Sequence, residues 1–238
     1  MRLKEESEKF DLFLNIKKTE LMTTAKNGNT KIVIDGEEME CMEEFTFLGS
    51  LVNPNGECRQ EIKRQIMLGH TAMMSMNQIW KNKDVSLTTK CRLVCTIVFP
   101  ITIYGCESWM VKKLDRRKID SFELWCWRRL LHIPWTAKIS NKEELKSIKP
   151  DMSLEGKITK LRLSYFGHVM RSTLLEKDVM LGTVCGKRRQ GCQRTCWLDV
   201  IKADTGQNIK QLKEAVQDRK SWRELAYGIA KGRVQLNG

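Results

Sequence analysis

Three cysteines in the last quarter of the chain have the residue type of a zinc site but not its spacing. Cys185, Cys192 and Cys196 form a C-x6-C-x3-C cluster, and His168 lies 17 residues before it. Structural zinc is usually held by four ligands in compact pairs that begin with C-x2-4-C. Because the gaps differ from that pattern, we interpret these residues as free thiols, with zinc binding as the alternative.

The other thiols and imidazoles indicate packing, not a nucleophilic site. Cys91 and Cys95 lie four residues apart on a predicted helix and are expected in its core. The chain has only three histidines, too few for a recognisable Cys-His or Ser-His arrangement. His168 follows Tyr165-Phe-Gly167 and is expected to pack with it, a phosphate contact being the alternative.

Adjacent carboxylates occur at Glu37-Glu38, Glu43-Glu44 and Glu143-Glu144, but the sequence has no Asp-Asp pair. Two-metal chemistry needs carboxylates that converge on the same ions. Neighbouring side chains on a strand point to opposite faces. We therefore interpret the glutamate pairs as solvated charges and predict no metal or other cofactor.

Cations form clusters that suit a phosphate backbone, and aromatic residues lie among them. One predicted helix has basic residues at both ends and Phe122 and Trp125 along it. The alternative for such a helix is an ordinary solvated face, and for the cluster after residue 186 a localisation signal. The candidate nucleic-acid-binding residues are Lys63, Arg64, Lys112, Lys113, Arg116, Arg117, Arg128, Arg129, Lys187, Arg188, Arg189 and Arg194.

Tryptophans are the second candidate group, since an exposed indole can stack on a base. Most are nevertheless expected in the core. The five considered are Trp125, Trp127, Trp135, Trp197 and Trp222.

The charge distribution favours a polyanionic partner for the latter part of the chain. The 238 residues have a net charge of +13. Residues 1–55 contain 7 Lys or Arg against 11 Asp or Glu, residues 56–130 contain 14 against 7, and residues 131–238 contain 21 against 11. An acidic start before a long basic remainder indicates that the latter part faces a polyanion such as nucleic acid, the alternative being a solvated basic surface with no specific partner.

Composition indicates a soluble globular protein, with 41% hydrophobic and 30% charged residues. No apolar run reaches the roughly 20 residues of a membrane helix, and the start lacks a secretory signal. We therefore expect no membrane contact and an intracellular location, nucleus or cytoplasm. Nine cysteines at irregular spacing are then expected to be reduced.

The N-terminal part should be partly β. Residues 3–14 predict an amphipathic helix and residues 16–22 an extended segment. Residues 30–41 predict a hairpin with a type I′ turn at Asp35-Gly36. Phe45-Thr-Phe-Leu-Gly49 predicts a half-buried strand extended by Leu51 and Val52, before a turn at residues 53–56.

Helices should dominate afterwards. Apolar periodicity predicts one helix over residues 62–80 and another that starts at Ser86 and is kinked or ended by Pro100. A third should run from 114 to 130. Further helices should be capped by Ser153 and Asp218, with a short one beginning at Trp197. Residues 186–195 predict an exposed linker. The expected fold is α+β, mostly α.

Several phrases resemble non-LTR retrotransposon reverse transcriptases of the RTE, or BovB-like, clade. Leu14-Asn-Ile-Lys-Lys-Thr-Glu20 resembles the segment that follows the catalytic carboxylates. Phe45-Thr-Phe-Leu-Gly-Ser50 resembles the primer-grip strand, with Phe47 in place of tyrosine. The thumb and C-terminal phrases are Tyr104-Gly-Cys-Glu-Ser-Trp109, Phe122-Glu-Leu-Trp-Cys-Trp-Arg-Arg-Leu-Leu131, Tyr165-Phe-Gly-His168, Arg194-Thr-Cys-Trp-Leu-Asp199 and Asp218-Arg-Lys-Ser-Trp-Arg223. The resemblance covers essentially the whole chain, in order.

The resemblance implies three segments: a palm remnant over 1–55, a thumb-like helical bundle over 56–150 and a basic helical region over 151–238. It implies that Phe45, Phe47, Leu48 and Gly49 would position the primer end in the intact enzyme, a role not expected here without the rest of the palm. The parent enzyme would use Mg²⁺, but the Asp-Asp pair, the fingers and the endonuclease are missing here. The chain as it stands is thus not expected to be an enzyme.

Two hypotheses follow. In the first, the chain is an inactive reverse-transcriptase fragment that binds RNA or an RNA–DNA hybrid without sequence preference. In the second, it is a helical protein-interaction or vestigial module, which self-associates through the exposed N-terminal strands.

Overall fold

The computed structural model describes residues 2–24, 31–134, 136–173, 175–181 and 196–232. The fold is α+β and mostly α, which confirms the predicted class. No helix in these ranges is long and apolar enough to cross a membrane. The chain groups into two compact units, residues 1–61 and 62–238, described separately below. The expected three-segment division stays a prediction.

Short elements make up the first unit. They are α1 (Arg2–Glu8), a 3-10 turn (Ile16–Lys18), β1 (Val33–Ile34), β2 (Glu37–Glu38), β3 (Phe45–Phe47) and β4 (Ser50–Val52). The second unit consists of helices, and its first helix begins three residues before the unit's boundary at Ile62. They are α2 (Arg59–Ser75), α3 (Asn77–Lys81), α4 (Leu87–Leu93), α5 (Phe99–Thr102), α6 (Lys113–Leu130), α7 (Asn141–Ile148), α8 (Leu154–Arg171), α9 (Leu175–Leu181), α10 (Trp197–Thr205), α11 (Ile209–Ala215) and α12 (Arg219–Gly232).

The first hairpin forms as predicted. Strands β1 and β2 are antiparallel, and Asp35 and Gly36 between them have φ values of 53° and 84°. Positive φ at both central positions is what a type I′ turn requires. Ile34 and Met39 bury their side chains behind this hairpin.

The N-terminal segment differs from its prediction. The helix ends at Glu8, not residue 14, and Asp11 adopts a left-handed φ of 56°. Phe10 and Phe13 are exposed, because no described element covers them. The segment predicted to be extended from residue 16 begins with the 3-10 turn.

The helix predicted over residues 62–80 breaks at Met76, which separates α2 from α3. The break lets Trp80 turn back, and its indole N–H donates to the Met73 carbonyl at 2.7 Å. Local periodicity could not reveal this bond, which satisfies a carbonyl that the interrupted helix leaves open.

Pro100 neither ends nor sharply interrupts its helix. The Ser86 hydroxyl caps α4 as predicted, and residues Val94–Val98 then form a π turn that continues into α5. A π turn widens the helix where a proline ring would otherwise meet the carbonyl four residues earlier. The chain therefore remains helical to Thr102.

The pair α8 and α12 forms the centre of the C-terminal packing. Gly156 and Gly167 allow the close approach, since a Cβ on Gly167 would lie 2.4 Å from Trp222 Nε1 and one on Gly156 2.5 Å from the Ala230 carbonyl. Trp222 Nε1 donates to the Leu163 carbonyl at 2.9 Å. The surrounding core consists of Leu163, Phe166, Val169, Met170, Ile201, Leu212, Val216, Trp222 and Ala226.

The remaining boundaries follow local capping chemistry. Ser153 caps α8, and Asp218 Oδ1 accepts the Lys220 N–H at the start of α12, both as predicted. Helices α7, α9 and α11 were not predicted. A capping box of Ser140 and Glu143 begins α7, and Asn208 with Gln211 forms one for α11.

Candidate nucleic-acid interface

The cations at the start of α6 point in two directions. Lys112, Lys113 and Arg117 are exposed. Arg116 instead faces α8 and α10, where it forms ion pairs with Glu155 at 2.9 Å and Asp204 at 3.7 Å. Successive helical residues are about 100° apart, so neighbouring arginines need not share a face. The structure thus keeps three of these four predicted residues at the surface and places Arg116 in the helix packing.

Helix α2 and the following α3 run beside α6 in the same direction. The His70 ring lies 4.1 Å from the Trp125 ring, centroid to centroid. Seven residues later, Asn77 Oδ1 accepts a hydrogen bond from Arg129, four residues after Trp125, at 3.2 Å. Side chains that advance together along both helices require parallel chain directions.

The order of these contacts is the reason for grouping the predicted basic residues of α2 with those at the start of α6. Lys63 and Arg64 lie about two turns before His70 in α2, and Arg117 lies about two turns before Trp125 in α6, so we infer that these cations lie towards the same end of the two helices. Lys63 is exposed and Arg64 is half-buried. We call this set the α2/α6 basic surface; it comprises Lys63, Arg64, Lys112, Lys113 and Arg117.

The other end of α6 has a structural role. Arg128 Nε forms an ion pair with Glu144 at 3.0 Å, and Arg128 also donates to the Ile139 carbonyl at 2.8 Å. Arg129 donates to Asn77 and lies over the Trp125 ring, 5.7 Å from its centroid. These contacts hold α7 and α3 against α6.

Glu144 corrects the prediction of solvated glutamates. Its side chain is buried, and burial raises its pKa while the Arg128 guanidinium lowers it. The unpredicted helix α7 supplies the burial, because it packs on α6. Glu143 is exposed as predicted and caps that helix.

The primer-grip-like segment is a second hairpin. Strand β3 pairs with β4, and the chain reverses at Leu48 and Gly49, whose φ values are 47° and 80°. Leu51 therefore does not extend the strand of Phe47 but lies in its partner. The prediction of a half-buried strand is wrong, because Phe47 and Leu48 are 59% and 77% exposed.

The tryptophans mostly pack, as predicted. Trp127 and Trp222 are buried, and Trp197 is half-buried with its N–H donated to the Glu107 carbonyl at 2.8 Å. Trp125 is half-buried beneath Arg129. Trp135 lies outside the described residues, as do Lys187, Arg188, Arg189, Arg194 and the predicted linker.

Four of the phrases that carry the family resemblance meet in one region of packing: Tyr104–Trp109, Tyr165–His168, Arg194–Asp199 and Asp218–Arg223. Trp197 of the Arg194–Asp199 phrase contacts the rings of Tyr165 and Phe166 and bonds to Glu107. Trp222 of the last phrase lies against Gly167. These aromatic residues of the phrases therefore contribute to helix packing. The cations that face solvent do not take part in that packing.

The structure describes one of the three cysteines considered for zinc binding. Cys196 is exposed at the start of α10, whereas Cys185 and Cys192 lie outside the described residues. His168 is exposed and not packed as expected. Cys91 and Cys95 are half-buried, not fully buried as predicted, because their face of the helix remains partly uncovered. Among the residues that the structure describes, no group of three suitable ligands comes together.

Two carboxyl groups on α6 have raised pKa values. Burial, helped by Glu155 and opposed by Arg116, raises the pKa of Asp120 to about 6. Burial raises the pKa of Glu123 to about 7, although it accepts hydrogen bonds from the Leu154 N–H at 2.7 Å and the Trp127 indole at 3.3 Å. Because Glu123 joins α6 to α8 and its donors belong to the protein, we assign it to packing and not to acid–base chemistry.

A cavity of about 720 Å³ lies between α9 and α10. Its described lining is mainly apolar, and Glu176 is the one carboxylate among those described residues. The lining residues are Ser108, Tyr165, Leu175, Glu176, Val179, Met180, Cys196, Trp197 and Leu198. This arrangement provides no catalytic set.

Sequence reasoning missed an exposed aromatic residue among cations, Tyr227 on α12. Lys160 and Lys231 place their ammonium groups 5.4 and 5.7 Å from its ring centroid. The available signal was the four-residue interval of Arg219, Arg223, Tyr227 and Lys231, which puts them on one helix face.

No family model, curated protein or solved structure matches the chain.

Proposed function

We propose that this chain is a fragment derived from a non-LTR retrotransposon reverse transcriptase, that it does not catalyse polymerisation, and that it binds RNA–DNA hybrid or RNA without sequence preference. The ordered set of family-like phrases supports the origin. The lack of an Asp-Asp pair in the sequence supports the loss of catalysis, because polymerisation requires converging metal-binding carboxylates.

The observation that carries the binding proposal is the α2/α6 basic surface. Lys63, Lys113 and Arg117 are exposed, and within the described ranges none of them has an acidic partner. Arg116, in contrast, forms ion pairs with Glu155 and Asp204. Cations that the fold does not neutralise are those available to phosphates, and such contacts make binding strongly salt-dependent.

The test is fluorescence anisotropy of a labelled RNA–DNA hybrid with the full chain, over roughly 50 to 200 mM salt. The triple variant Lys63→Glu, Lys113→Glu, Arg117→Glu should weaken binding and reduce the slope of log affinity against log salt by roughly 2 to 3, since each phosphate contact contributes about 0.9.

The matched control is Lys83→Glu, Lys138→Glu, Lys210→Glu, three exposed residues away from this surface that change the net charge equally. It should retain most of the affinity and nearly the whole slope. Equal losses in the two triple variants would show that overall charge, and not the α2/α6 basic surface, causes binding. Failure of the unaltered chain to bind at low salt would contradict the proposal altogether.

A second candidate function is protein association through the first unit. The exposed apolar residues of its hairpin favour this candidate, since an uncovered apolar patch commonly marks an interface. They are Phe45, Phe47, Leu48 and Val52. Light scattering that shows a concentration-dependent mass, unchanged by RNA, would favour this candidate over nucleic-acid binding.

A further inference from the structure

Tyr227 lies on the solvent-facing side of α12 and is 37% exposed. The ammonium groups of Lys160 on α8 and Lys231 on α12 lie 5.4 and 5.7 Å from the centroid of its ring. The exposed Arg223 lies one turn earlier on the same face. An aromatic ring is thus presented at the surface among three cations from two helices.

The acidic groups near this ring do not cancel those charges. Asp151 is 3.7 Å from Lys231 and lies 3.3 Å from the Tyr227 hydroxyl, but both charged side chains are more than half exposed, and such pairs are weak. Helix α12 itself contains one acidic residue, Glu224, against four Lys or Arg, so the helix keeps a net positive charge. In the part of the chain that the structure describes, Arg219 and Arg223 have no acidic partner, whereas Lys220 lies near Asp218.

The helix that carries the ring is closely packed on α8. Helices α8 and α12 pack closely through Gly156 and Gly167, and the Trp222 indole is bonded to the Leu163 carbonyl. The row from Arg219 to Lys231 consequently extends for roughly 18 Å along a fixed helix. Fixed spacing between a ring and its flanking cations suits a repeating polyanion with a flat group on each unit.

We propose that Tyr227 is a stacking platform for an unpaired nucleobase, and that Lys160, Arg223 and Lys231 contact the neighbouring phosphates. A flexible ammonium group can leave the ring face for a phosphate when a base takes its place, and base–aromatic stacking is stronger than an exposed cation–π contact. Bases inside a duplex are already stacked, so this surface selects single strands.

This inference rests on the proposed function in that both require nucleic-acid binding, but it names a different surface and a different substrate. The α2/α6 basic surface would hold the hybrid duplex by its phosphates. The Tyr227 surface would hold a single-stranded extension.

The experiment compares Tyr227→Ala with Tyr227→Phe in the full chain, using a labelled single-stranded RNA and a blunt RNA–DNA hybrid as separate probes. Tyr227→Ala should weaken binding of the single strand by about 5-fold to 100-fold, the range expected for one stacked base. Tyr227→Phe should bind as the unaltered chain does, because it keeps the ring and loses only the hydroxyl contact with Asp151. Neither variant should change binding of the blunt hybrid.

Ultraviolet crosslinking of the unaltered chain to the single strand provides a readout independent of folding, and the crosslinked peptide should contain Tyr227. Unchanged single-strand affinity in Tyr227→Ala, an equal loss for both probes, or a crosslink elsewhere would overturn the proposal. Hybrid binding without a Tyr227 effect would leave the proposed function standing and remove this inference. A Tyr227-dependent single-strand affinity without hybrid binding would support this inference and remove hybrid binding at the α2/α6 basic surface.

Discussion

Arg116 and Arg117 are neighbours that perform different tasks. Arg116 joins α6 to Glu155 and Asp204, while Arg117 faces solvent. Removing Arg116 would break its ion pairs with Glu155 and with Asp204, which also pairs with Arg162, whereas removing Arg117 disturbs no described ion pair. A loss of binding is therefore informative about an interface at Arg117 but not at Arg116.

Glu123 gives a residue-scale prediction for pH dependence. Its pKa is raised to about 7 in the folded protein, above its unfolded value. Such a group stabilises the fold fully below the unfolded pKa, and that contribution is lost as pH rises through the folded pKa. Between about pH 5 and 8, the free energy of unfolding should fall by roughly 3 kcal/mol on account of Glu123.

Urea denaturation of Glu123→Gln at several pH values checks this expectation. The variant should be less stable at pH 5, because one amide oxygen cannot replace both acceptors for Leu154 and Trp127. It should, however, lose less stability towards pH 8. An identical pH dependence in the variant would show that the Glu123 carboxyl is not the group that titrates.

At the scale of elements, the ion pair of Arg128 with Glu144 joins α7 to α6. Reversing Arg128 to Glu places like charges together beside the buried Glu144, and we expect a destabilisation of about 3 kcal/mol. Arg117→Glu, on the exposed part of the same helix, should change stability by less than about 0.5 kcal/mol. Thermal unfolding followed by circular dichroism measures both.

The double variant Arg128→Glu, Glu144→Arg should recover part of the stability, because it restores opposite charges across the same contact. Without such recovery, the loss in Arg128→Glu would come from its bond to the Ile139 carbonyl. Either result shows that a charge reversal at Arg128 cannot serve alone as a test of nucleic-acid binding.

The elements differ in how far the sequence could predict them. Ser86, Ser153 and Asp218 begin helices as expected, since a cap needs only its own next turn. The reversal at Leu48-Gly49 was missed, because leucine rarely adopts a left-handed φ and lacks the turn preference of asparagine or aspartate. Arg117 was predicted as a candidate binding residue, but Tyr227 was not. The surroundings of Tyr227 include Lys160, which is 67 positions away in the chain and could not be inferred from local sequence.

At the scale of the whole molecule, the exposed hairpin predicts self-association. Light scattering of the unaltered chain should show a mass that increases with concentration. Phe47→Ser combined with Leu48→Asn should lower it, because both side chains are exposed and asparagine tolerates the positive φ.

The control is Leu175→Ser combined with Val179→Ser, an exposed apolar pair on α9. It should associate as the unaltered chain does. If only this control reduced the mass, the interface would lie on α9. A constant monomeric mass in the unaltered chain would remove the second candidate function.

The packing of Gly167 with Trp222, and of Trp197 with Phe166, has a consequence for the history of such chains. Selection for folding alone removes changes at these positions, because they disrupt the interior. Selection removes substitutions at Lys113 or Arg117 only in lineages in which ligand binding is still required. In a lineage of related copies, the substitution rate at exposed cations relative to that of interior residues would therefore record how long binding has been selected, and family-like phrases would outlast the activity of the ancestor.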